Sequence, residues 1–130
     1  MRLYKILVVD EVGAGLEIMA ILCEAGFEAA GPVATVSGAL ISLEISQFDA
    51  VLLDTTLSGV PSFPVAEALK QRLIPFAFVT AASPFSLPYE LRDAPMLGKP
   101  FQEKRLLSLT RSLLTSPSRE CVDSLCVVAE

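Results

Sequence analysis

Three carboxylates, a hydroxyl and an ammonium stand where apolar runs of this chain stop. Asp10 and Glu11 follow the run at 4–9, Asp54 follows the run at 48–53, Thr80 follows Phe76-Ala77-Phe78-Val79, and Lys99 follows Met96-Leu97-Gly98. Carboxylates brought together repel and raise one another's pKa, which a divalent cation relieves; oxygen ligands with retained waters are what magnesium prefers. A carboxylate neutralised in this way can attack phosphorus while an ammonium holds the phosphoryl oxygens and a hydroxyl donates a further hydrogen bond. The sequence contains no histidine, which removes histidine-based triads, general bases and metal sites. Any histidine in the chemistry belongs to another molecule.

Those residues can meet only if the runs are strands of one sheet. The apolar runs at 4–9, 48–53 and 76–79 read as buried parallel strands, and ligands of such sheets lie beyond the strands' carboxyl ends. Residues 28–33 form a poorer strand that carries Gly31 and Pro32 and suits a sheet edge, and Met96-Leu97 supplies a short fifth strand. Between them the periodicity predicts helices: one burying Leu16, Met19, Ala20 and Cys23 before Gly26; one capped by Thr35 with Val36, Ala39, Leu40 and Leu43 inward; one started by Ser62 and Pro64 with Val65, Ala66, Leu69 and Leu73 inward; and a last one carrying Leu106, Leu109, Leu113 and Leu114. Gly13 and Gly15 weaken the first turn of the first helix. Pro84, Pro88 and Pro95 make the fourth helix, over 83–95, short or irregular. Alternating strands and helices predict an α/β, doubly wound, five-stranded parallel sheet that gathers the polar strand ends along one edge.

Composition sets the bounds. At 130 residues the chain is one domain, and 52% hydrophobic with 19% charged residues fits a folded α/β unit. The net charge of −5 is spread along the chain, so no basic stripe invites DNA. The N-terminal apolar run is too short for a membrane span or signal peptide. Cys23, Cys121 and Cys126 lack metal-type spacing, which points to a reduced, cytoplasmic setting, with a Cys121–Cys126 disulfide as the less supported reading. Residues 116–130 mix proline, serine and charge with Val122, Leu125, Val127 and Val128, and read as a tail that is either frayed or docks on a partner. Gly13-Ala14-Gly15 after a strand hints at a nucleotide site, but Ile18 replaces the third glycine and no acidic residue ends the second strand.

Taken singly, each polar strand end could be an ordinary cap or a solvated charge. In order, however, Ile6-Leu7-Val8-Val9-Asp10-Glu11, Leu53-Asp54, Val79-Thr80-Ala81 and Gly98-Lys99-Pro100-Phe101 resemble the receiver domain of two-component response regulators over residues 3–114. The resemblance implies a flavodoxin-like fold with strand order 2-1-3-4-5 and a receiver domain at 1–115. It implies Asp54 as phosphoacceptor, Thr80 as switch hydroxyl, Lys99 on the phosphoryl group, and magnesium held by Asp10, Glu11, Asp54 and the Thr56 backbone carbonyl. Lys99-Pro100 would be the family's cis peptide. Within the family, Pro61-Ser62-Phe63-Pro64-Val65-Ala66, the Ile74-Pro75-Phe76 approach to Thr80 and the proline-rich fourth-helix region resemble single-domain receivers of alphaproteobacteria.

Three residues depart from the pattern. Glu11 is one methylene longer than the usual aspartate, so magnesium affinity is altered; Val12 replaces a further acidic residue; Met96 stands where many receivers carry the switch aromatic. Two functions stay open. One is a stand-alone receiver in a phosphorelay that takes its phosphoryl group from a sensor histidine kinase or phosphotransfer protein, catalysing only its own phosphorylation and dephosphorylation, and signals to a downstream protein through the 83–101 region. The other is a pseudo-receiver, a binding module that works without phosphorylation. The resemblance allows a homodimer in either case.

Overall fold

The computed structural model describes residues 3–115. The tail at 116–130, with the Cys121–Cys126 pairing, lies outside the described residues. In chain order the elements are β1 (Lys5–Val9), α1 (Val12–Glu24), β2 (Glu28–Val33), α2 (Val36–Ile45), β3 (Ala50–Leu53), β4 (Thr56–Leu57), β5 (Val60–Pro61), α3 (Phe63–Gln71), β6 (Phe76–Thr80), β7 (Met96–Gly98) and α4 (Glu103–Leu114). The main sheet runs β2-β1-β3-β6-β7 and every pairing in it is parallel. Numbered within that sheet alone, the order is 2-1-3-4-5, as expected.

Strand alternation divides the core between two faces. Leu7, Val9, Val51, Leu53, Phe76 and Phe78 face α2 and α3, whereas Ile6, Val8, Ala50, Leu52, Ala77 and Val79 face α1 and α4. Because both faces are covered, β1, β3 and β6 carry near-continuous apolar runs. Phe78 is fully buried and meets Phe76 edge to face with ring centroids 5.6 Å apart. Strand β2 is the edge, pairing with β1 alone, and Pro32 sits in it where no outer neighbour needs its missing donor.

The caps follow the residue chemistry. Thr35 accepts the Gly38 amide at 3.0 Å and starts α2. Ser62 and Pro64 open α3, but the Ser62 hydroxyl makes no capping bond to that helix. In place of a long helix, residues 83–95 hold two single 3-10 turns, Pro84–Ser86 and Tyr89–Leu91, as the three prolines require.

Three sequence expectations are corrected. Helix α1 buries Gly15, Ile18, Ile21 and Leu22, while Leu16, Ala20 and Cys23 are exposed and Met19 is half-buried. The helix is apolar nearly all round, so its periodicity fits more than one face, and packing chose. Gly15 is part of that choice: a Cβ there would come within 2.4 Å of Pro32 Cβ, so the glycine permits close approach to β2 rather than loosening the turn. Leu73 lies beyond the end of α3, at φ 59°, and is exposed rather than inward. The structure adds an antiparallel β4–β5 hairpin; Ser58 at φ 51° and Gly59 at φ 80° form its two-residue turn.

Candidate functional site

The site is built at the carboxyl ends of β1, β3, β6 and β7. Asp10 leaves β1 almost fully buried, with its amide bonded to the Val33 carbonyl at 3.0 Å and its Oδ1 accepting the Glu11 amide at 2.7 Å. Asp54 leaves β3; its amide bonds the Val9 carbonyl at 2.9 Å and its Oδ1 accepts the Thr55 amide at 2.7 Å. Each carboxylate thus has one oxygen fixed by the next backbone N–H and the other free to face the cleft. Lys99 fills that position. Its Nζ donates to Asp10 Oδ2 at 2.8 Å and to Asp54 Oδ2 at 3.4 Å.

Lys99 is aimed by its own backbone: its amide donates to the Thr80 carbonyl at 2.9 Å, and the Lys99–Pro100 peptide is cis, as the resemblance implied. Burial pushes the Asp10 carboxyl above its ordinary pKa of 3.8; the hydrogen bond and charge of Lys99 oppose the shift and the Asp54 charge adds to it. For Lys99, burial acts to lower the pKa, but the hydrogen bond and charge of Asp10, joined by those of Asp54, outweigh it and hold the ammonium above 10.5.

Thr80 ends β6 fully buried. Its hydroxyl accepts the Ala82 amide at 3.1 Å and lies 2.8 Å from the Thr55 hydroxyl, also buried. Ser62, fully buried, ties the segment after β3 down: its hydroxyl donates to the Asp54 carbonyl at 2.5 Å and its amide donates to the Thr55 carbonyl at 2.9 Å. Thr55 and Ser62 were not singled out from the sequence as site residues. The Asp54-Thr55-Thr56 run placed Thr55 beside Asp54, but only the fold turns its hydroxyl toward Thr80.

Asp10, Asp54 and Lys99 are therefore in direct contact, with Thr80 one hydroxyl away through Thr55. Glu11 is exposed at the N-cap of α1, and Thr56, two residues past Asp54, opens β4 exposed. Among the described residues no three acidic side chains gather as a metal-binding group. The donor set that does converge is a pair of carboxylates. Two carboxylates, each with one oxygen not held by the next backbone amide, are the oxygen donors that suit magnesium with retained waters. Among the described residues no helix is long and apolar enough to cross a membrane.

The sequence matches no protein-family model and no curated protein. Solved structures do match. The solution structure of SdrG from Sphingomonas melonis Fr1 is 37% identical, with a TM-score of 0.74 over 86% of this chain and 96% of that one. A BeF3-activated conformation of SdrG, from Pseudomonas melonis Fr1, is also 37% identical, with a TM-score of 0.73 over 88% and 99%. The response regulator REC domain of PhyR from Erythrobacter litoralis is 26% identical, with a TM-score of 0.74 over 87% and 90%. With an identity of 37% across nearly the whole of SdrG, and with the sheet order and strand-end residues described above, the chain belongs to the response regulator receiver domains.

Proposed function

We propose that the chain is a phosphoacceptor: a phosphoryl group passes from a phosphohistidine of a histidine kinase or phosphotransfer protein to Asp54, and is later released to water. In the first step the phosphorus–nitrogen bond breaks as an Asp54 oxygen bonds to phosphorus, and the departing imidazole takes its proton from solvent. In the second, water attacks phosphorus, the Asp54 carboxylate leaves, and inorganic phosphate forms. The observation that carries this reading is the single ammonium of Lys99 shared by Asp10 and Asp54 at 2.8 and 3.4 Å, because it puts a cation beside the attacking oxygen where phosphoryl charge would arrive.

Asp10, Asp54 and the Thr56 carbonyl would hold magnesium, with Glu11 at the rim. When bound, the ion would neutralise the carboxylate pair and the phosphoryl oxygens. Lys99 orients the phosphoryl group and Thr80 supplies a further hydrogen bond to it. Residues 83–101 then carry the signal to a downstream protein. Phe85 and Tyr89, 80% and 83% exposed on the two 3-10 turns that follow Thr80, give that surface its aromatic contacts. The structure of SdrG in a BeF3-activated conformation supports the reading, since this chain and SdrG share a family.

The test is incubation with a small phosphodonor and magnesium followed by intact mass measurement. Wild type should gain one phosphoryl group and Asp54→Asn should not. A second reading, a pseudo-receiver that binds partners without phosphorylation, is favoured by the position of Glu11 outside the carboxylate pair. Wild type that gains no adduct under any donor or magnesium condition would overturn the first reading and favour the second.

A further inference from the structure

We infer that Thr55 is a positioning residue that holds the Thr80 hydroxyl in its resting orientation and ties it to the phosphoacceptor; the inference rests on the phosphoacceptor reading. The buried Thr55 hydroxyl sits 2.8 Å from the Thr80 hydroxyl. A buried hydroxyl is costly unless paired, and each side chain satisfies the other. At the same time the Thr55 amide holds Asp54 Oδ1 at 2.7 Å. One residue therefore grips the acceptor carboxylate through its backbone and the switch hydroxyl through its side chain.

The backbone of Thr55 has little freedom to follow either partner. Ser62 fixes the carbonyls on both sides of the 54–55 peptide segment, bonding the Asp54 carbonyl with its hydroxyl and the Thr55 carbonyl with its amide. Thr80 already accepts the Ala82 amide, so its hydroxyl, with one donor and two acceptor positions, is engaged on two sides at rest. With Thr80 as the donor of the pair, its hydrogen must leave Thr55 to reach a phosphoryl group on Asp54. The bond between the two threonines then favours the resting state by the worth of one hydrogen bond, about a fivefold bias.

The test compares wild type with Thr55→Val, which keeps the shape and loses the hydroxyl, and Thr55→Ser, which keeps the hydroxyl. Two quantities are read: hydrogen exchange of the Ala82 amide in the protein alone, and the midpoint of a trifluoroberyllate titration in magnesium. Thr55→Val should exchange the Ala82 amide severalfold faster and lower the midpoint about fivefold, and Thr55→Ser should match wild type in both. An unchanged Ala82 amide in Thr55→Val, or a midpoint that rises, would overturn the inference. Thr55→Ala repeats the loss of the hydroxyl should the valine variant not fold. If wild type shows no response to trifluoroberyllate, the phosphoacceptor reading fails by itself, and Ala82 exchange still decides whether Thr55 positions Thr80.

Discussion

The Lys99 ammonium reaches the Asp10 carboxylate at 2.8 Å, although β7 and β1 are not neighbours and β3 and β6 run between them. The lysine thus spans the carboxyl edge of the sheet and touches Asp54 of the intervening β3 on the way, at 3.4 Å. Its four-carbon stem suits that reach, and its compact charge serves two acceptors at once. Asp10 is almost fully buried and Lys99 partly so, which makes the pair sensitive to loss of either partner.

Lys99→Met should therefore destabilise the protein by about 2–4 kcal/mol at neutral pH, because it strands Asp10 in the interior without its cation. The double variant Asp10→Asn with Lys99→Met should recover most of that loss. Urea unfolding midpoints of wild type, Lys99→Met and the double variant measure it; a double variant no more stable than Lys99→Met would refute the pairing account.

The pH dependence follows from the same contact. Both groups have folded-state pKa values above their ordinary ones, so the native state binds more protons than the unfolded chain between the two values, and stability falls as pH rises. For Asp10 the contribution is full below 3.8 and is lost as pH climbs through its raised folded value. For Lys99 it is full below 10.5 and is lost as pH climbs through its raised folded value. In metal-free buffer, the stability advantage of wild type over Lys99→Met should shrink above pH 10.5, and the difference between wild type and Asp10→Asn should move against wild type from pH 3.8 upward. Parallel curves in both windows would contradict the assignment.

Gly15→Ala should destabilise rather than stabilise, although alanine is the better helix former. The new Cβ would lie 2.4 Å from Pro32 Cβ, an atom of a ring that closes on the backbone and cannot swing aside as a flexible side chain would. A cost of about 1–3 kcal/mol is expected from overpacking, less the roughly 1 kcal/mol that alanine gains over glycine within a helix. Thermal unfolding should show a lower Tm. Gly13→Ala is the control, since no atom lies within 4 Å of a Cβ there, and its Tm should not fall.

Ser62→Ala removes the donor to the Asp54 carbonyl while leaving the backbone bond from residue 62 to the Thr55 carbonyl. The loss should cost about 1–2 kcal/mol, the worth of a bond to a buried carbonyl left unmatched. Hydrogen exchange at the Thr55 amide should also quicken, because the 54–55 segment loses one of its anchors. A variant as stable as wild type with the same Thr55 exchange would show that the clamp is dispensable.

Much of the architecture was legible because buried parallel strands must be apolar throughout and must end where polarity returns. Asp10, Asp54, Thr80 and Lys99 were readable as strand ends for that reason, and the prolines at 84, 88 and 95 excluded a long fourth helix through their missing donors. The inward face of α1 was not legible. A helix apolar on nearly every side offers several faces of similar hydrophobicity, and contact with Pro32 through Gly15 decided among them. The exposure of Leu73 likewise follows from where the chain leaves α3, which an i, i+4 pattern does not reveal.

The sequence alone determined which residue types arrive at the sheet edge, since strand polarity and chain order are local properties. Only the tertiary structure decided which of them touch. In place of the expected gathering of three acidic residues stands a carboxylate pair bridged by Lys99, with Glu11 exposed at the N-cap of α1, and the partner of Thr80 is the neighbour of Asp54. Contacts of a few ångströms depend on twist, helix docking and the route of each side chain, and those are fixed by packing across the whole sheet rather than by any one segment.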